Sequence, residues 1–449
     1  MLAAMPQPPS AASRDEPVIR DRGDACPGAL RLHGADDGFL ARVRIPGGLL
    51  TAAQAAVLGL AADRFGDGHL ELTSRGNVQL RGLADGCGAG LAELLDAAGL
   101  LPAPSHERVR NIVATPLSGL EGTARPDVLP WARELDRLLC ASMRATALSG
   151  RFLFAFDDGR GDVAALGPDV TVLAVPDGRA LVRLGRAPDA VELAAPDAAR
   201  AALLAAEYFL DAADAAGNRA WRVSELPPEH ALDAGEFSVR LGAAGIAAVC
   251  APAVAWPYAP PPRPWGPGVG DRAALCVLPP LGRLTSEQWR VLVQAAERGN
   301  GELRITPWRT VILPWAGARM PIDGLGRIER AGLVLAPDSA WESVTACTGR
   351  PGCAKSLADV RADARAVVEL AQGRLPVHWS GCERRCGHPR GTDWVDVVAT
   401  AGDGYELSVP GRAVQRLPTV PELAVILADA RNVQNVQNDP RVSEDAVKK

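Results

Sequence analysis

The fold is decided by residues 42–66, RVRIPGGLLTAAQAAVLGLAADRFG, because the same order of features returns at residues 275–299, LCVLPPLGRLTSEQWRVLVQAAERG. Each stretch is typical of a short strand, a turn with proline and glycine, and then a helix. Two strand-like segments follow each helix, at residues 70–80 and 302–313. This repeat predicts a duplicated β-α-β unit.

The ends of the two helices carry matching signals. Thr51 with Gln54, and Thr285 with Gln288, have the pattern of a capping box, in which two side chains satisfy backbone N–H groups at a helix start. Both helices are predicted to stop at a glycine in the left-handed conformation, namely Gly66 and Gly299. Matching starts, stops and strand order are hard to attribute to chance, so we interpret the two copies as half-domains of ferredoxin-like character.

A second pair of matching segments follows the two copies. Residues 110–119 match the stretch that holds Cys347 and Cys353, and residues 150–154 match the stretch that holds Cys382. Only the segments of the second half contain cysteine. The sequence therefore predicts one metal centre per chain, with the first half acting as scaffold and ligand wall.

Four cysteines near the C-terminus form two pairs. Five residues separate Cys347 from Cys353, and three separate Cys382 from Cys386. Small and turn-forming residues surround each of them, which lets the backbone approach a bulky inorganic core. The grouping predicts that the four thiolates hold one iron–sulfur cluster. Structural zinc sites usually have tighter spacings, so zinc is the weaker alternative and a chance grouping the weakest.

The composition is that of a globular protein with several structural units. The chain has 449 residues, of which 47% are hydrophobic and 22% charged. No apolar run is long enough to cross a bilayer, and the N-terminus lacks the features of a signal peptide. Nine cysteines without a disulfide framework favour the cytoplasm. A net charge of −5 argues against nucleic-acid binding, and no membrane partner is expected.

These patterns divide the chain into segments. Residues 251–270 contain seven prolines, which predicts a semi-rigid linker. The last residues lack apolar periodicity, which predicts disorder. The predicted order is a disordered leader 1–25, half-domain 1 at 26–100, a larger lobe without a cluster at 101–250, the linker 251–270, half-domain 2 at 271–335, a second lobe with the cluster at 336–430, and a disordered tail 431–449.

The chain resembles the nitrite and sulfite reductase superfamily, roughly from residue 26 to residue 430. The resemblance rests on the duplicated units, the cysteine spacing and several short motifs. It implies an α+β fold with two ferredoxin-like half-domains and two larger α/β lobes, one of which carries a [4Fe-4S] cluster. The motifs are Cys26-Pro27-Gly28, Arg44–Gly48, Leu72–Leu83 with Arg75, Arg110-Asn111, Phe154–Gly159, His378–Cys382 and Cys386–Pro389.

Within the superfamily, the details are most similar to the precorrin-3B synthase family of cobalamin biosynthesis. That resemblance implies an oxygen-dependent monooxygenase, which hydroxylates the tetrapyrrole precorrin-3A and closes a lactone before ring contraction. Sulfite and nitrite reductases of this fold use sirohaem and a Lys-x-Lys pair that donates protons, where this chain has Arg151-Phe152-Leu153. Arginine is a poor proton donor and leucine cannot donate, so the sirohaem-dependent reductase is kept as the alternative function. A third alternative is an electron-transfer or tetrapyrrole-binding protein without catalysis.

The resemblance also implies roles for single arginines. A tetrapyrrole substrate carries many carboxylates, which guanidinium groups bind bidentately. Arg81 and Arg309 lie on the motif segments too, but an exposed surface role is an equal alternative for them. The predicted substrate ligands are Arg75, Arg110, Arg151 and Arg304.

The implied cofactors are the [4Fe-4S] cluster and a mononuclear non-haem iron that activates oxygen. Sirohaem is implied only under the alternative function. His378 and His388 flank the cluster loop and are the candidates for the second iron, with a hydrogen-bonding or packing role beside the cluster as their alternative. The sequence has no dinucleotide or flavin motif, so we expect an external electron donor, a ferredoxin or a reductase.

Overall fold

A computed structural model describes residues 24, 26–120, 125–265, 274–315, 322–373, 375–389, 393–402, 404–417 and 420–432. The strands are β1 His33–Ala35, β2 Gly38–Val43, β3 Leu49–Thr51, β4 His69–Leu72, β5 Val78–Leu83, β6 Ile112–Ala114, β7 Phe154–Asp157, β8 Val170–Val175, β9 Arg179–Leu184, β10 Ala190–Ala194, β11 Ala248–Ala251, β12 Ala274–Val277, β13 Arg283–Thr285, β14 Glu302–Ile305, β15 Val311–Pro314, β16 Val344–Ala346, β17 Val377–Ser380, β18 Val395–Ala399, β19 Tyr405–Ser408 and β20 Gln415–Leu417. The helices are α1 Ala52–Phe65, α2 Gly88–Ala97, α3 Leu129–Ala141, α4 Ala198–Ala216, α5 Ala234–Ala243, α6 Ser286–Arg298, α7 Ile322–Arg330, α8 Val360–Val367 and α9 Val420–Arg431.

Two compact units divide the described residues. One contains Pro102–Ala259 with Asp24 and Cys26, and so holds the first lobe. The other contains Pro27–Leu101 and the described residues from Pro260 onward, and so holds both half-domains and the second lobe. None of the helices in the described ranges is both long and apolar enough to cross a membrane.

The two half-domains exchange a strand. The strand orders are β1-β2-β5-β4-β13 in one sheet and β12-β15-β14-β3 in the other. Strand β13 from the second copy pairs with β4 through Thr285 and His69, while β3 from the first copy pairs with β14 through Thr51 and Glu302. The turns before the two exchanged strands also match, because Pro46–Gly48 and Pro280–Gly282 both form 3-10 turns with residues at positive φ. The predicted duplicated α+β architecture is confirmed.

The predicted capping boxes are present in both copies. The Thr51 hydroxyl accepts from the Gln54 N–H at 3.1 Å, and the Thr285 hydroxyl accepts from the Gln288 N–H at 3.1 Å. Each glutamine returns a bond to the threonine N–H, and its amide also donates to the carbonyl of Ala98 or Ala331. Each capping glutamine therefore also connects the first turn of its helix to the residue that follows α2 or α7.

The helices stop at the predicted glycines, but the predicted left-handed conformation is wrong. Gly66 has φ −113° and Gly299 has φ −89°, whereas the positive φ values lie two residues later, at Gly68 and Gly301. Close packing is the physical reason for glycine at the stop. A β-carbon at Gly66 would lie 2.8 Å from the Arg81 carbonyl oxygen.

The two lobes share one topology. The order β6-β7-β8-β9-β10 in the first lobe matches β16-β17-β18-β19-β20 in the second, with two parallel pairings followed by two antiparallel ones. The Thr115 N–H donates to the Phe156 carbonyl at 3.0 Å, and the Cys347 N–H donates to the Trp379 carbonyl at 2.9 Å. Thr115 therefore stands in the first lobe where the cysteine Cys347 stands in the second.

Two predicted segment boundaries need correction. Ala251 closes β11, and Trp265 is 3% exposed and pairs with Cys276, so the linker is shorter than 251–270. At the other end, α9 runs to Arg431, which donates to the Leu375 and Ala371 carbonyls and so belongs to the lobe. Residues 266–270 of the linker, the leader 1–25 apart from Asp24, and residues 433–449 of the tail lie outside the described residues.

Carboxyl groups organise the first lobe at the place that matches the cysteine loops. The Asp157 carboxylate accepts from the N–H groups of Gly159, Gly161 and Ala164 at 2.8–3.1 Å. Asp162 accepts from the Thr115 hydroxyl at 2.8 Å, and its second oxygen is buried without a hydrogen bond. Burial, followed by the charge of Asp157, raises the pKa of Asp162 to about 7.

Asp162→Asn is expected to flatten the pH dependence of stability. The folded protein keeps a proton on Asp162 that the unfolded chain loses near its ordinary value of 3.8, so the free energy of unfolding falls as pH rises from about 4 through about 7. Asparagine cannot ionise and retains an oxygen for the Thr115 hydroxyl. At pH 8 the variant should be more stable than wild type by roughly 2–4 kcal/mol, and near pH 4 it should match it.

Urea unfolding at a series of pH values measures this difference. Asp85→Asn, at an exposed position, is the matched control and should follow the wild-type curve. Parallel curves for Asp162→Asn and wild type between pH 4 and pH 8 would show that Asp162 is ionised in the folded protein.

Candidate functional site

The four cysteines lie on loops at one edge of the second lobe. Cys347 directly follows β16, and Cys382 comes two residues after β17. These strands are parallel, so their carboxyl ends meet at the same edge of the sheet. Cys353 and Cys386 follow on the same two loops, so the topology brings both predicted pairs to one place.

The four cysteines lie close enough together for the charge on one to change the pKa of another. Burial raises the pKa of Cys386, and negative charge on Cys347, Cys382 and Cys353 raises it further. The Gly381 N–H donates to Cys347 Sγ at 3.2 Å. Burial also raises the pKa of Cys347, opposed by the N–H groups of Gly381 and Gly349. The loops thus gather four thiols and direct N–H groups at sulfur, an environment in which bound iron would supply the missing positive charge.

Glycines in these loops are required by packing against the protein itself. A β-carbon at Gly381 would lie 1.8 Å from Ser356 Oγ, and one at Gly349 would lie 2.9 Å from Val360 Cγ2. The small residues were expected to admit the cluster. The structure shows that Gly381 and Gly349 let the two cysteine loops and α8 close on each other.

A buried ion pair anchors the first cysteine loop to half-domain 1. Arg361 on α8 donates to the Cys347 carbonyl at 3.1 Å and to the Glu71 carboxylate on β4 at 2.6 Å. Burial alone would raise the pKa of Glu71, but the charges of Arg361, Arg81 and Arg283 outweigh it and lower the pKa. Glu71 is therefore a carboxylate that fixes Arg361 beside the cysteine.

The turn between β1 and β2 holds the same loop from the other end. Arg81 makes two bonds of 2.8 Å to Asp37 and one of 2.7 Å to the Gly352 carbonyl, next to Cys353. The Ala354 N–H donates to Asp36. Arg81 is thus a structural residue, 6% exposed, and the sequence-based alternative of an exposed surface role for it is wrong.

The two histidines differ in their surroundings. His378 is fully buried, and its Nδ1 lies 2.8 Å from the Thr345 hydroxyl. Its Nε2 is buried without a hydrogen bond to the described residues. Burial first, then the charges of Arg309 and His388, lower the pKa of His378 to about 3, so the ring is neutral. His388 stacks on Trp394 with ring centres 5.0 Å apart.

The predicted substrate arginines fall into two groups. Arg110 forms a bidentate ion pair with Asp136 at 2.7 and 2.8 Å, and Arg304 pairs with Glu302 at 2.6 Å, so both guanidinium groups are engaged within the protein. Arg75 is half-buried in the turn before β5, and Arg151 is exposed and stacks on Trp221 at 4.7 Å. Arg75 and Arg304 belong to one unit and Arg110 and Arg151 to the other.

Four cysteine thiols on two adjacent loops have the ligand chemistry of an iron–sulfur cluster. Within the described ranges, no three His, Cys, Asp or Glu side chains are placed to hold one ion. A single zinc needs its ligands about 2.3 Å from one centre, whereas the thiolates of a cluster bind different irons and stand farther apart. The same observation means that the described side chains do not fit a mononuclear iron at His378 and His388.

Comparison with known proteins agrees with this arrangement. The family model described as the nitrite/sulfite reductase ferredoxin-like half domain matches residues 32–98 and 268–318. These ranges cover the two copies that exchange β3 and β13. A solved structure of NirA from Mycobacterium tuberculosis has the same fold, with a TM-score of 0.68 at 18% identity over 86% of this chain and 79% of that one. The chain therefore carries both copies of the ferredoxin-like half domain that the nitrite and sulfite reductases contain.

Two curated proteins that are similar to this chain differ in their activities. The precorrin-3B synthase of Sinorhizobium sp. is 26% identical over 411 residues, which is 88% of this chain and 84% of that protein. The ferredoxin–nitrite reductase of Synechococcus elongatus is 27% identical over 398 residues, 79% of this chain and 75% of that one. Both are oxidoreductases, and so is this protein.

Several positioning residues of the site have no signal in the sequence. Glu71 and Arg361 are separated by 290 positions, and neither lies in a cysteine motif. Asp36 and Asp37 look like ordinary turn residues before β2. In the structure, Glu71 on β4 lies opposite Arg283 on β13 and forms an ion pair with it. The sequence indicates only that an acid lies within an otherwise apolar strand.

Proposed function

We propose that this protein is a precorrin-3B synthase. It would use one oxygen molecule, two electrons and two protons to place one oxygen atom on a meso carbon of precorrin-3A, with the other atom released as water. An acetate side chain of the substrate then closes the lactone. The electrons would come one at a time from an external ferredoxin or reductase through the [4Fe-4S] cluster on Cys347, Cys353, Cys382 and Cys386.

The observation that carries the proposal is the shortage of lysine. Lysine occurs only at Lys355, Lys448 and Lys449, so the chain has no Lys-x-Lys pair. At the matching place, Arg151 stacks on Trp221 and Leu153 is 3% exposed in the core of the first lobe. Multi-electron reduction of an anion consumes many protons, and neither residue can donate one readily.

The arginines support a substrate with several carboxylates. Arg151 presents a planar guanidinium at the surface of the first lobe, and Arg75 lies in a turn of half-domain 1 that Thr73 fixes through its hydroxyl. The exposed guanidinium of Arg151 can bind a carboxylate while it stacks on Trp221. Arg110 and Arg304 would have to exchange Asp136 and Glu302 for substrate, so we rank them below Arg151.

A substrate competition assay tests the proposal. The reduced protein is supplied with precorrin-3A under isotopically labelled oxygen, and in parallel with nitrite and with sulfite. We expect one labelled oxygen atom in the tetrapyrrole product and only background loss of either anion. Unchanged precorrin-3A with rapid anion reduction would replace the proposal by the reductase.

The reductase is the second candidate because the ferredoxin–nitrite reductase similarity covers 79% of the chain. The reductase would require sirohaem. The absorption spectrum of the same protein sample shows independently whether sirohaem is bound. If a protein with an intact cluster neither oxidises precorrin-3A nor reduces the anions, the result would favour an electron-transfer role.

A further inference from the structure

The turn between β14 and β15 repeats the turn between β4 and β5 bond for bond. The Thr306 N–H donates to the Thr310 carbonyl at 2.9 Å, and the Arg309 N–H to the Thr306 carbonyl at 3.1 Å. In the first copy, the Thr73 N–H donates to the Asn77 carbonyl at 2.9 Å, and the Gly76 N–H donates to the Thr73 carbonyl at 3.1 Å. Arg309 therefore occupies the position that Gly76 occupies in the first copy.

That position is left-handed in both copies. Gly76 has φ +66° and Arg309 has φ +62°. Glycine adopts this conformation without strain, while a long side chain adopts it at a cost that the surrounding structure must offset. Arginine at a site that suits glycine indicates that its side chain has a role.

The Arg309 side chain extends towards the second cysteine loop. It packs against Gly282, where a β-carbon would lie 2.6 Å from Arg309 Cδ. Its tip reaches the residue that follows Cys386, because a β-carbon at Gly387 would lie 3.3 Å from Arg309 Nη2. Both neighbours are glycines at positive φ, which leaves room for the guanidinium.

The charge of Arg309 is poorly compensated. Burial, then the neighbouring charge of Arg361, lower its pKa, and Glu71 is the opposing group. Glu71 is itself bonded to Arg361 at 2.6 Å and to Gln79 at 3.0 Å. In the part of the chain that the structure describes, the Arg309 guanidinium makes no ion pair of its own, and the adjacent His378 is neutral.

We infer that Arg309 sets the reduction potential of the [4Fe-4S] cluster by holding a fixed positive charge beside the Cys386–Gly387 backbone. The inference rests on the proposed function only for the presence of the cluster. Reduction adds one electron from the external donor to the cluster and makes it more negative, with no bond formed or broken. A positive charge at this place stabilises the reduced form and raises the potential.

Redox titration of the purified holoprotein, followed by the absorption or the electron paramagnetic resonance signal of the cluster, measures this effect without substrate. Arg309→Gln removes the charge, and Arg309→Gly removes it while installing the residue of the first copy, which suits the left-handed backbone. Each should lower the ratio of reduced to oxidised cluster roughly tenfold at a given ambient potential, which is about 59 mV for one electron. Arg309→Lys should stay near wild type.

Arg298→Gln, at an exposed position at the end of α6, is the matched control for the loss of one positive charge and should leave the potential unchanged. An unchanged potential in Arg309→Gln and Arg309→Gly, with full cluster content, would overturn the inference and leave the proposed function intact. Loss of the cluster from both neutral variants would assign Arg309 to cluster assembly and also overturn it. A wild-type protein without any cluster signal would instead refute the proposed function, and the inference with it.

Discussion

Cys382→Ser is expected to remove nearly all cluster iron and to reduce precorrin-3A turnover to background. A serine oxygen is a hard, weakly acidic ligand that does not replace a thiolate on iron. The other three cysteines would remain on the same two loops but would supply one thiolate too few for a cluster with four cysteine ligands. Iron and acid-labile sulfide per chain, measured after anaerobic purification, give the result directly.

Cys250→Ser is the matched control, because Cys250 is an exposed cysteine on β11 of the other unit. It should keep the wild-type iron content and activity. Circular dichroism separates loss of the cluster from loss of the fold. Full iron and sulfide content in a folded Cys382→Ser protein would show that Cys382 is not a cluster ligand.

Gly381→Ala is expected to have a comparable effect from a single methyl group. The new β-carbon would lie 1.8 Å from Ser356 Oγ and 2.7 Å from Ser356 Cβ, so the two cysteine loops cannot close as they do in the native protein. Overpacking of this kind should cost about 3 kcal/mol or more in the free energy of unfolding. It should also lower the iron content of the purified protein, since Gly381 directs its N–H at Cys347.

A second substitution gives the prediction a sharper test. Ser356→Gly removes the clashing atoms, so the double variant should recover both stability and iron content relative to Gly381→Ala, with a coupling energy of roughly 2 kcal/mol. Gly242→Ala in α5, where a β-carbon meets nothing within 4 Å, controls for the substitution itself and should be neutral or slightly stabilising. Additive effects of the Gly381 and Ser356 changes would contradict the packing explanation.

The repeated pattern in the sequence was sufficient to predict the duplicated half-domains. A helix start is a local property, and the Thr51 and Thr285 capping boxes place it to within one residue. The exchange of β3 and β13 could not be predicted in the same way. The sequence of a three-residue strand does not determine which sheet it joins, because either sheet offers the same backbone hydrogen bonds.

The candidate site was predictable where the chemistry is local. Four cysteines at two loops identify themselves by residue type and spacing. Their supports are not local, because the Glu71–Arg361 ion pair and the Arg81–Gly352 bond join segments more than 250 residues apart. Arg110 was predicted to bind substrate because it lies in a motif, but its guanidinium is bonded to Asp136 on α3. Nothing in the sequence indicates that these two residues form a pair.

The most direct test of the central claim is the absorption spectrum of protein purified without air, recorded before and after reduction with dithionite. We predict a broad thiolate-to-iron shoulder that bleaches on reduction, with no haem bands. An intense Soret band with a long-wavelength sirohaem feature would contradict this and make anion reduction the function, and a colourless protein that contains zinc would refute the cluster itself.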